Sequence, residues 1–325
     1  MIPTQVSFVI LNYNGVALQI LPDCLASVKE VVQSENSRHE VIVVDNGSTD
    51  DSLSYIKENL PEARVIALPE NRFVTAYNDG FIASTNDICL FLNNDMIVQK
   101  DFLPPLLAHF QDDLVVAVGP SILPWGEKDT SKMGIGRSEG RYQWGYIKTQ
   151  EMTYEKAKNT GLLTTTSPAF HIAAGAYDKK KYLALGGLDS LYAPCYWEDT
   201  DLCFRAGRRG WNVLYEPKSV IYHKHQATTS RVFTRRQLKT IMGKNRHLFM
   251  WKNIFSKRYI AQYLAFLPFR LLLPLVKGDV SPLMGFIRAL KDAKAALAKR
   301  REEKKAALRS DREIFAHSKW EELRR

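Results

Sequence analysis

Short β-branched runs alternate with helical patterns through the first 120 residues, and most of these runs end in a polar cluster. The runs are 6–11 (VSFVIL), 41–44 (VIVV), 65–68, 88–92 (ICLFL) and 115–118. Near-continuous apolar runs of this length predict buried strands of a parallel sheet. Between them the spacing predicts helices over 18–32, 51–58, 75–84 and 102–110, with a capping cluster at 48–51 for the second. Such alternation confines the chain to a doubly wound α/β sheet, whose ligands sit at the carboxyl ends of the strands. A chain of 325 residues can bury that core unaided, as one large domain or two modest ones.

Charge divides the chain in two. Residues 1–216 hold 19 Lys and Arg against 27 Asp and Glu, net −8, whereas residues 217–325 hold 26 against 8, net +18. From 217 to 278 there are 13 basic residues and no acidic one. Such a block seeks an anionic surface, nucleic acid or phospholipid. Within it, residues 258–276 (RYIAQYLAFLPFRLLLPLV) approach membrane-spanning length, but Arg270 lies inside the stretch and Pro268 and Pro274 interrupt it. That pattern favours an interfacial, half-inserted element, with flanking Lys and Arg on anionic headgroups, over a buried helix pair. Basic residues interleaved with Leu, Phe and Pro suit lipid better than nucleic acid. Four cysteines without a C-x-x-C pair argue against a disulfide scaffold or cysteine zinc site and for a reducing compartment. The N-terminus lacks a secretory pattern, so a cytosolic protein is expected.

Residues 120–170 read as a loop-rich insertion with room for a hairpin. A helix follows over 178–185, stopped by Gly186-Gly187, and another over 200–209, stopped by Gly210. The tail from Lys291 combines helix formers with mixed charge, which predicts a solvated or partly disordered helix.

Four polar clusters lie where strands end or helices begin. Asn12-Tyr13-Asn14-Gly15 follows the first run and Asp45-Asn46-Gly47-Ser48-Thr49-Asp50 the second. A carboxylate there can accept from a base N–H or a ribose hydroxyl of a nucleotide; the same residue types also make ordinary turns and caps. Asn93-Asn94-Asp95 closes the run at 88–92. Its oxygens suit a hard divalent cation shared with a diphosphate, Mg²⁺ or Mn²⁺, or else a plain polar turn.

Trp197-Glu198-Asp199-Thr200-Asp201 opens a helix. Capping and the helix dipole explain part of this carboxylate cluster. Asp201, one turn in, reads as structural, whereas Glu198 or Asp199 at the loop edge could act as a general base. Trp197 could stack on a sugar or simply pack. His223-Lys224-His225, after the strand-like 220–222, could complete a metal site or be structural. The chain has no G-x-x-x-x-G-K-[ST] loop, which excludes a P-loop NTPase, and no G-x-G-x-x-G after the first strand, which weighs against a dinucleotide dehydrogenase.

Taken in order, VSFVILNYNG, VIVVDNGSTDDS, ENRFVTAYNDG, ICLFLNNDMIV, AGAYDKKKYLALGGLDS, YWEDTDLCFRAGRRGWNV and IYHKH resemble the family 2 inverting glycosyltransferases of the GT-A fold, in particular their bacterial rhamnosyltransferase-like branch. The resemblance implies a GT-A type mixed α/β domain over 1–228, with a nucleotide-sugar half (1–119) and an acceptor half (120–228). A helical, basic, membrane-associating extension would follow over 229–325. By the same resemblance Asn12, Asn14, Asp45, Asn46, Asn71, Asn78 and Asn94 would line the nucleotide-sugar site, and Trp197 and Gly175 the acceptor site. Asp95, with His223 or His225, would hold Mg²⁺ or Mn²⁺, and Arg231 could add a phosphate contact. Asn93 stands where the family often has Asp, and Arg72 where it usually has Gly. Asp199 would be the catalytic base, with Glu198 beside it.

The implied activity moves a sugar, first L-rhamnose from dTDP-L-rhamnose, to a lipid-linked saccharide in bacterial surface polysaccharide synthesis. The implied place is the inner face of the cell membrane. The rivals are a polyprenyl-phosphate glycosyltransferase and a non-catalytic nucleotide-sugar or polysaccharide-binding module, which needs no base.

Overall fold

The apolar runs become strands of one sheet: β1 (Ser7–Asn12), β2 (Glu40–Asp45), β3 (Arg64–Ala67), β4 (Ile88–Asn93) and, after the short β5 (Met96–Val98), β6 (Val115–Pro124). The computed structural model describes residues 5–34, 39–126, 134–224 and 232–318. Later segments supply β7 (Gly134–Gln143), β8 (Tyr146–Thr153), β9 (Ser167–Pro168), β10 (Gly175–Asp178) and β11 (Asn212–His223). The sheet runs β3-β2-β1-β4-β10-β6-β11-β5, with β9 against β11. β1 is parallel to β2 and β4, and β2 to β3, whereas β10 is antiparallel to both β4 and β6. The sheet is therefore mixed. β3, at its edge, is only half-buried, unlike the doubly covered strand expected there.

Alternation along the strands sends side chains to two cores. Phe8, Ile10 and Leu90 meet α1 (Leu21–Ser34), α2 (Ser52–Asn59) and α4 (Leu103–Leu107) on one face. Val9, Val44 and Phe91 meet α3 (Tyr77–Ala83) and, further round, the side chains of α7 (Glu198–Arg208) on the other. The helices expected over 75–84 and 102–110 are each part 3-10 helix, at Phe73–Ala76 and Ala108–Gln111.

Residues 134–160 are more regular than expected. β7 and β8 form a hairpin closed by Trp144-Gly145, both with positive φ, as a two-residue turn between twisted strands requires. α5 (Tyr154–Thr160) follows, capped by the Thr153 hydroxyl, which accepts from the Lys156 N–H at 3.3 Å. α6 (Lys179–Ala184) is capped in the same way by Asp178, at 2.8 Å from the Lys181 N–H.

The C-terminal third folds as α8 (Arg235–Asn253), α9 (Lys257–Val276), α10 (Ser281–Lys291), α11 (Ala293–Lys305) and α12 (Asp311–His317). A third core joins Tyr146, Phe170, Trp197 and Phe204 to Leu248, Phe249, Ile314 and Phe315. The tail is the solvated helix its composition suggested over α11, which buries only Ala296, but α12 after it is seated on the domain. Asp311 is buried, pairs with Arg208, and accepts from the Phe255 and Ser256 N–H groups at 2.9 and 2.7 Å. α9 runs unbroken through Pro268 and Pro274, against expectation. It is long and apolar enough to cross a membrane by length and composition. Only Tyr263 and Leu271 on it are buried, while Phe269, Leu272, Leu273 and Val276 are exposed.

Candidate active site

Parallel pairing in the registers Asn12↔Asp45 and Leu11↔Asn93 delivers the residues that end β1, β2 and β4 to one edge. Asn12 is buried and its amide works from both ends. Its Nδ2 donates to Asp45 Oδ1 at 2.8 Å, and its Oδ1 accepts from Asn94 Nδ2 at 2.8 Å. Ser48 Oγ donates to Asp45 Oδ1 at 2.6 Å and accepts from the Asn14 N–H at 2.9 Å. Gly15 makes room for this network, since a Cβ there would stand 2.4 Å from Asn12 Oδ1 and 2.6 Å from Asn94 Nδ2. Asn14 Oδ1 in turn accepts from the Thr49 N–H at 2.8 Å. The 48–51 cluster serves these loops more than α2: Asp51 makes no cap bond, and Asp50 divides its carboxylate between the Ser52 and Ala17 N–H groups.

Asn46 fastens the next loop. Its Oδ1 accepts from the Arg72 N–H at 2.7 Å, and its Nδ2 donates to Asn71 Oδ1 at 2.9 Å and the Phe73 carbonyl at 3.0 Å. The Arg72 guanidinium pairs with Asp79 at 2.6 Å. Asn78 is committed elsewhere. It donates to the Leu188 carbonyl and accepts from the Leu188 N–H and the Tyr182 hydroxyl, so its amide braces α3 against the loop after α6.

The β11–β5 register, His223↔Met96, sets His223 beside Asp95. Asp95 Oδ1 is buried without a well-aligned hydrogen-bond donor among the described residues and lies 3.1 Å from His223 Nε2. Two ligands on an octahedral cation, each about 2.1 Å from it, stand about 3 Å apart, so a carboxylate–imidazole pair at this spacing fits a divalent ion. Among the described residues no group of three or more His, Cys, Asp or Glu side chains is placed to hold a metal. His225 and Arg231 lie outside the described residues.

The third component is the first turn of α7, which begins two residues earlier than its pattern indicated. Tyr196 and Trp197, immediately before Glu198 and Asp199, both take positive φ, 69° and 80°. Asp199 Oδ1 accepts from the Thr200 N–H at 2.5 Å, leaving Oδ2 3.9 Å from His171 Nε2. Glu198 Oε2 is buried with no hydrogen-bond partner among the described residues. Burial first, and then the charge of Asp199, push the Glu198 carboxyl up to about 8. Asp201 is the opposite case. Burial alone would raise it, but Arg205 and Lys252, at 2.7 and 2.8 Å, hold it well below the carboxylate range. Its other oxygen accepts from Tyr192 and Asn253, so Asp201 is the structural residue its position suggested.

Two residues expected at an acceptor have other tasks. Trp197 is 7% exposed and packs on Phe249 with Arg246 over its face, so the ring open to solvent at this loop is Tyr196, 38% exposed. Gly175 is buried in β10, where a Cβ would stand 2.3 Å from the Val118 carbonyl oxygen. Its pairing with Phe91 lays residues 171–174 across the end of β4, which is how His171 reaches the edge. His171, held by Ser138 Oγ at 3.0 Å from Nδ1, was not singled out from the sequence. A lone histidine in an irregular segment gives no spacing to read.

A mixed sheet with a buried amide–carboxylate network at its carboxyl edge, an Asp–His pair and a carboxylate-bearing helix start is the architecture of a nucleotide-dependent α/β enzyme. The model for glycosyl transferase family 2 matches residues 7–175, just over half of the chain, and the chain belongs to that family. Glu198, Asp199 and His223 lie beyond the matched stretch. Similar folds occur in GalNAc-T7 crystallised with UDP, GalNAc and Mn²⁺ (TM-score 0.59, 19% identity, 81% of this chain and 50% of that one). They occur also in S. aureus TarS (TM-score 0.54, 14% identity, 96% of this chain and 54% of that one). A third is the mannosyltransferase PcManGT from Pyrobaculum calidifontis with GDP-Man and Mn²⁺ (TM-score 0.54, 16% identity, 98% of this chain and 86% of that one). At these identities the likeness is one of fold, and this chain spans about half the length of the first two. A search of curated proteins finds none that matches this chain.

Proposed function

We propose that this chain is a metal-dependent inverting glycosyltransferase that moves a sugar from a nucleotide sugar to a lipid-linked saccharide at the cytoplasmic face of a bacterial membrane. The observation that carries the reading is the Asn12–Asp45–Asn94 network and the Asp95–His223 pair at one sheet edge, with the first turn of α7 linked to that edge through His171, 3.9 Å from Asp199. The Asp45 carboxylate accepts from the base or ribose, and the tightly bonded Asn12, Asn46 and Ser48 hold it and its loops in place. Asp95 and His223 would hold a divalent cation, which would supply Lewis-acid stabilisation of the charge that develops on the departing diphosphate.

Asp199 acts from the acceptor side. Thr200 pins its Oδ1, so Oδ2 is free to take the proton of the acceptor hydroxyl as that oxygen attacks the anomeric carbon. The new glycosidic bond forms as the bond from that carbon to the diphosphate breaks, and the diphosphate keeps the electron pair. Attack opposite the leaving group inverts the centre. Burial and the charge of Asp199 raise the Glu198 carboxyl, which disfavours a second negative charge beside the base.

The exposed apolar side of α9, in a C-terminal region of net positive charge, supports a peripheral membrane position. dTDP-L-rhamnose is the first donor to test, on the resemblance of the sequence motifs. UDP- and GDP-sugars come next, because the similar structures were crystallised with UDP and GDP-Man.

Thermal unfolding with UDP, dTDP, GDP or NAD, each with and without Mn²⁺, tests the reading. Ligand that binds only the folded state raises stability by mass action. A metal-dependent shift with one nucleoside diphosphate is expected. A shift with NAD alone, or none with any nucleoside diphosphate, overturns it.

A further inference from the structure

A pocket of about 360 Å³ opens where the β7–β8 hairpin meets α8 and α9. Arg141, Lys148, Arg246 and Arg270 line it together with Tyr146 and Thr149, and no carboxylate is among its lining residues. Two of these cations face each other by register, since Arg141 is the cross-strand partner of Lys148. Like charges directly opposite in a hairpin are unfavourable unless something negative lies between them. Arg246 is held over the rings of Tyr146 and Trp197, 5.4 and 5.5 Å from their centroids. Its Nε is buried with no hydrogen-bond partner among the described residues. Arg270 is aimed by its Nε and a terminal nitrogen, which donate to the Trp144 carbonyl at 2.9 and 2.6 Å, and it lies 4.1 Å from the Tyr146 centroid. Three guanidinium groups and an ammonium around one opening suit a multiply charged oxyanion of the phosphate type.

The surroundings say what carries that anion. Arg270 belongs to α9, whose neighbouring Phe269, Leu272 and Leu273 are 68%, 59% and 66% exposed, and Trp144 at the hairpin tip is 58% exposed. A basic pocket bordered by exposed apolar side chains matches a phosphate carried on a hydrocarbon chain. Trp197, against which Arg246 rests, immediately precedes the Glu198–Asp199 carboxylates, so the pocket adjoins the side from which an acceptor would arrive. We infer that this pocket binds the phosphate or diphosphate group of the lipid that carries the acceptor saccharide, and so positions the acceptor. The inference rests on the reading of a lipid-linked acceptor given above.

The double variant Arg141→Gln/Lys148→Gln tests it, because both side chains are exposed and neither belongs to the carboxylate or nucleotide clusters. Sedimentation is measured with phosphatidylcholine vesicles carrying a small fraction of polyprenyl diphosphate, and with phosphatidylglycerol vesicles of equal charge. The parent protein should prefer the polyprenyl diphosphate vesicles by about tenfold, a difference that a few charge-assisted contacts supply. The variant should lose that preference and keep its stabilisation by nucleoside diphosphate and Mn²⁺. Equal sedimentation with both vesicles, or an unchanged preference in the variant, overturns the inference. So does stabilisation by free inorganic pyrophosphate as strong as binding of the lipid-borne group, which would make the pocket a site for a soluble anion. Loss of nucleotide stabilisation in the parent protein sinks the glycosyltransferase reading instead, and the vesicle preference is then judged on its own.

Discussion

The two sides of α7 treat their carboxylates in opposite ways. Asp201 faces inward to Arg205, Lys252, Tyr192 and Asn253, and its buried charge is fully matched. Glu198, three residues earlier, is half-buried at the loop edge, with its Oε2 buried without a partner among the described residues and with Asp199 beside it. One arrangement stabilises a charge and so holds the helix to α8. The other raises a pKa and keeps a second carboxylate available next to it. Burial alone separates nothing; the presence or absence of compensating cations distinguishes the scaffold side from the chemical side.

Removing the compensated charge should have the largest effect on folding. Asp201→Ala leaves Arg205 and Lys252 buried without their shared partner and should cost about 3–5 kcal/mol in denaturant unfolding. A cost below about 1 kcal/mol, the range of an exposed pair, would erase the contrast.

The pH dependence should divide in the same way, and the signs are opposite. Asp201 is depressed from its ordinary 3.8, so its contribution is present above that pH and is lost as pH falls through the folded-state value. Glu198 is raised from 4.5 to about 8, so its contribution is present below 4.5 and is lost as pH rises from there toward 8. Glu198→Gln should therefore flatten the decline of stability between those limits. Melting temperatures at pH 5 and pH 8 check it: the variant should gain on the parent protein at pH 8 and not at pH 5. Parallel curves would show that Glu198 titrates normally.

The smallest expected effect concerns Asn78, the bracing amide between α3 and the loop after α6. Asn78→Ala should cost about 1–3 kcal/mol by leaving the buried Leu188 carbonyl unpaired and the Leu188 N–H with only its 3.3 Å bond to the Tyr182 hydroxyl. Nucleoside diphosphate affinity should be unchanged, measured by titration. A large loss of affinity with little loss of stability would return Asn78 to the nucleotide pocket.

Much of the edge built by β1, β2 and β4 was legible in the sequence because it is local. The apolar runs of β1, β2 and β4 are unambiguous, and a parallel sheet must carry Asn12, Asp45 and Asp95 to one edge. The part built by β10, the hairpin and the first turn of α7 was less legible because its geometry comes from long-range pairing. β10 is four residues long, GAYD, and its antiparallel insertion between β4 and β6 has no sequence signature. The hairpin turn is Trp144-Gly145, not the Asn-Gly or Asp-Gly that would announce one. His171 reaches Asp199 only through that inserted strand. The Arg208–Asp311 pair that seats the tail joins residues about a hundred positions apart, beyond any periodicity. Trp197 read either as a sugar platform or as a packing residue, because a tryptophan beside carboxylates is ambiguous until its exposure is known.

The most direct measurement is made on Asp199→Asn, with transfer rate and nucleoside diphosphate affinity determined in one preparation. The account predicts a rate lowered by about 10²–10⁴-fold, the contribution of a positioned general base, with affinity unchanged. Full transfer by the variant would remove Asp199 from the chemistry. Equal loss of transfer and affinity would make it part of the scaffold.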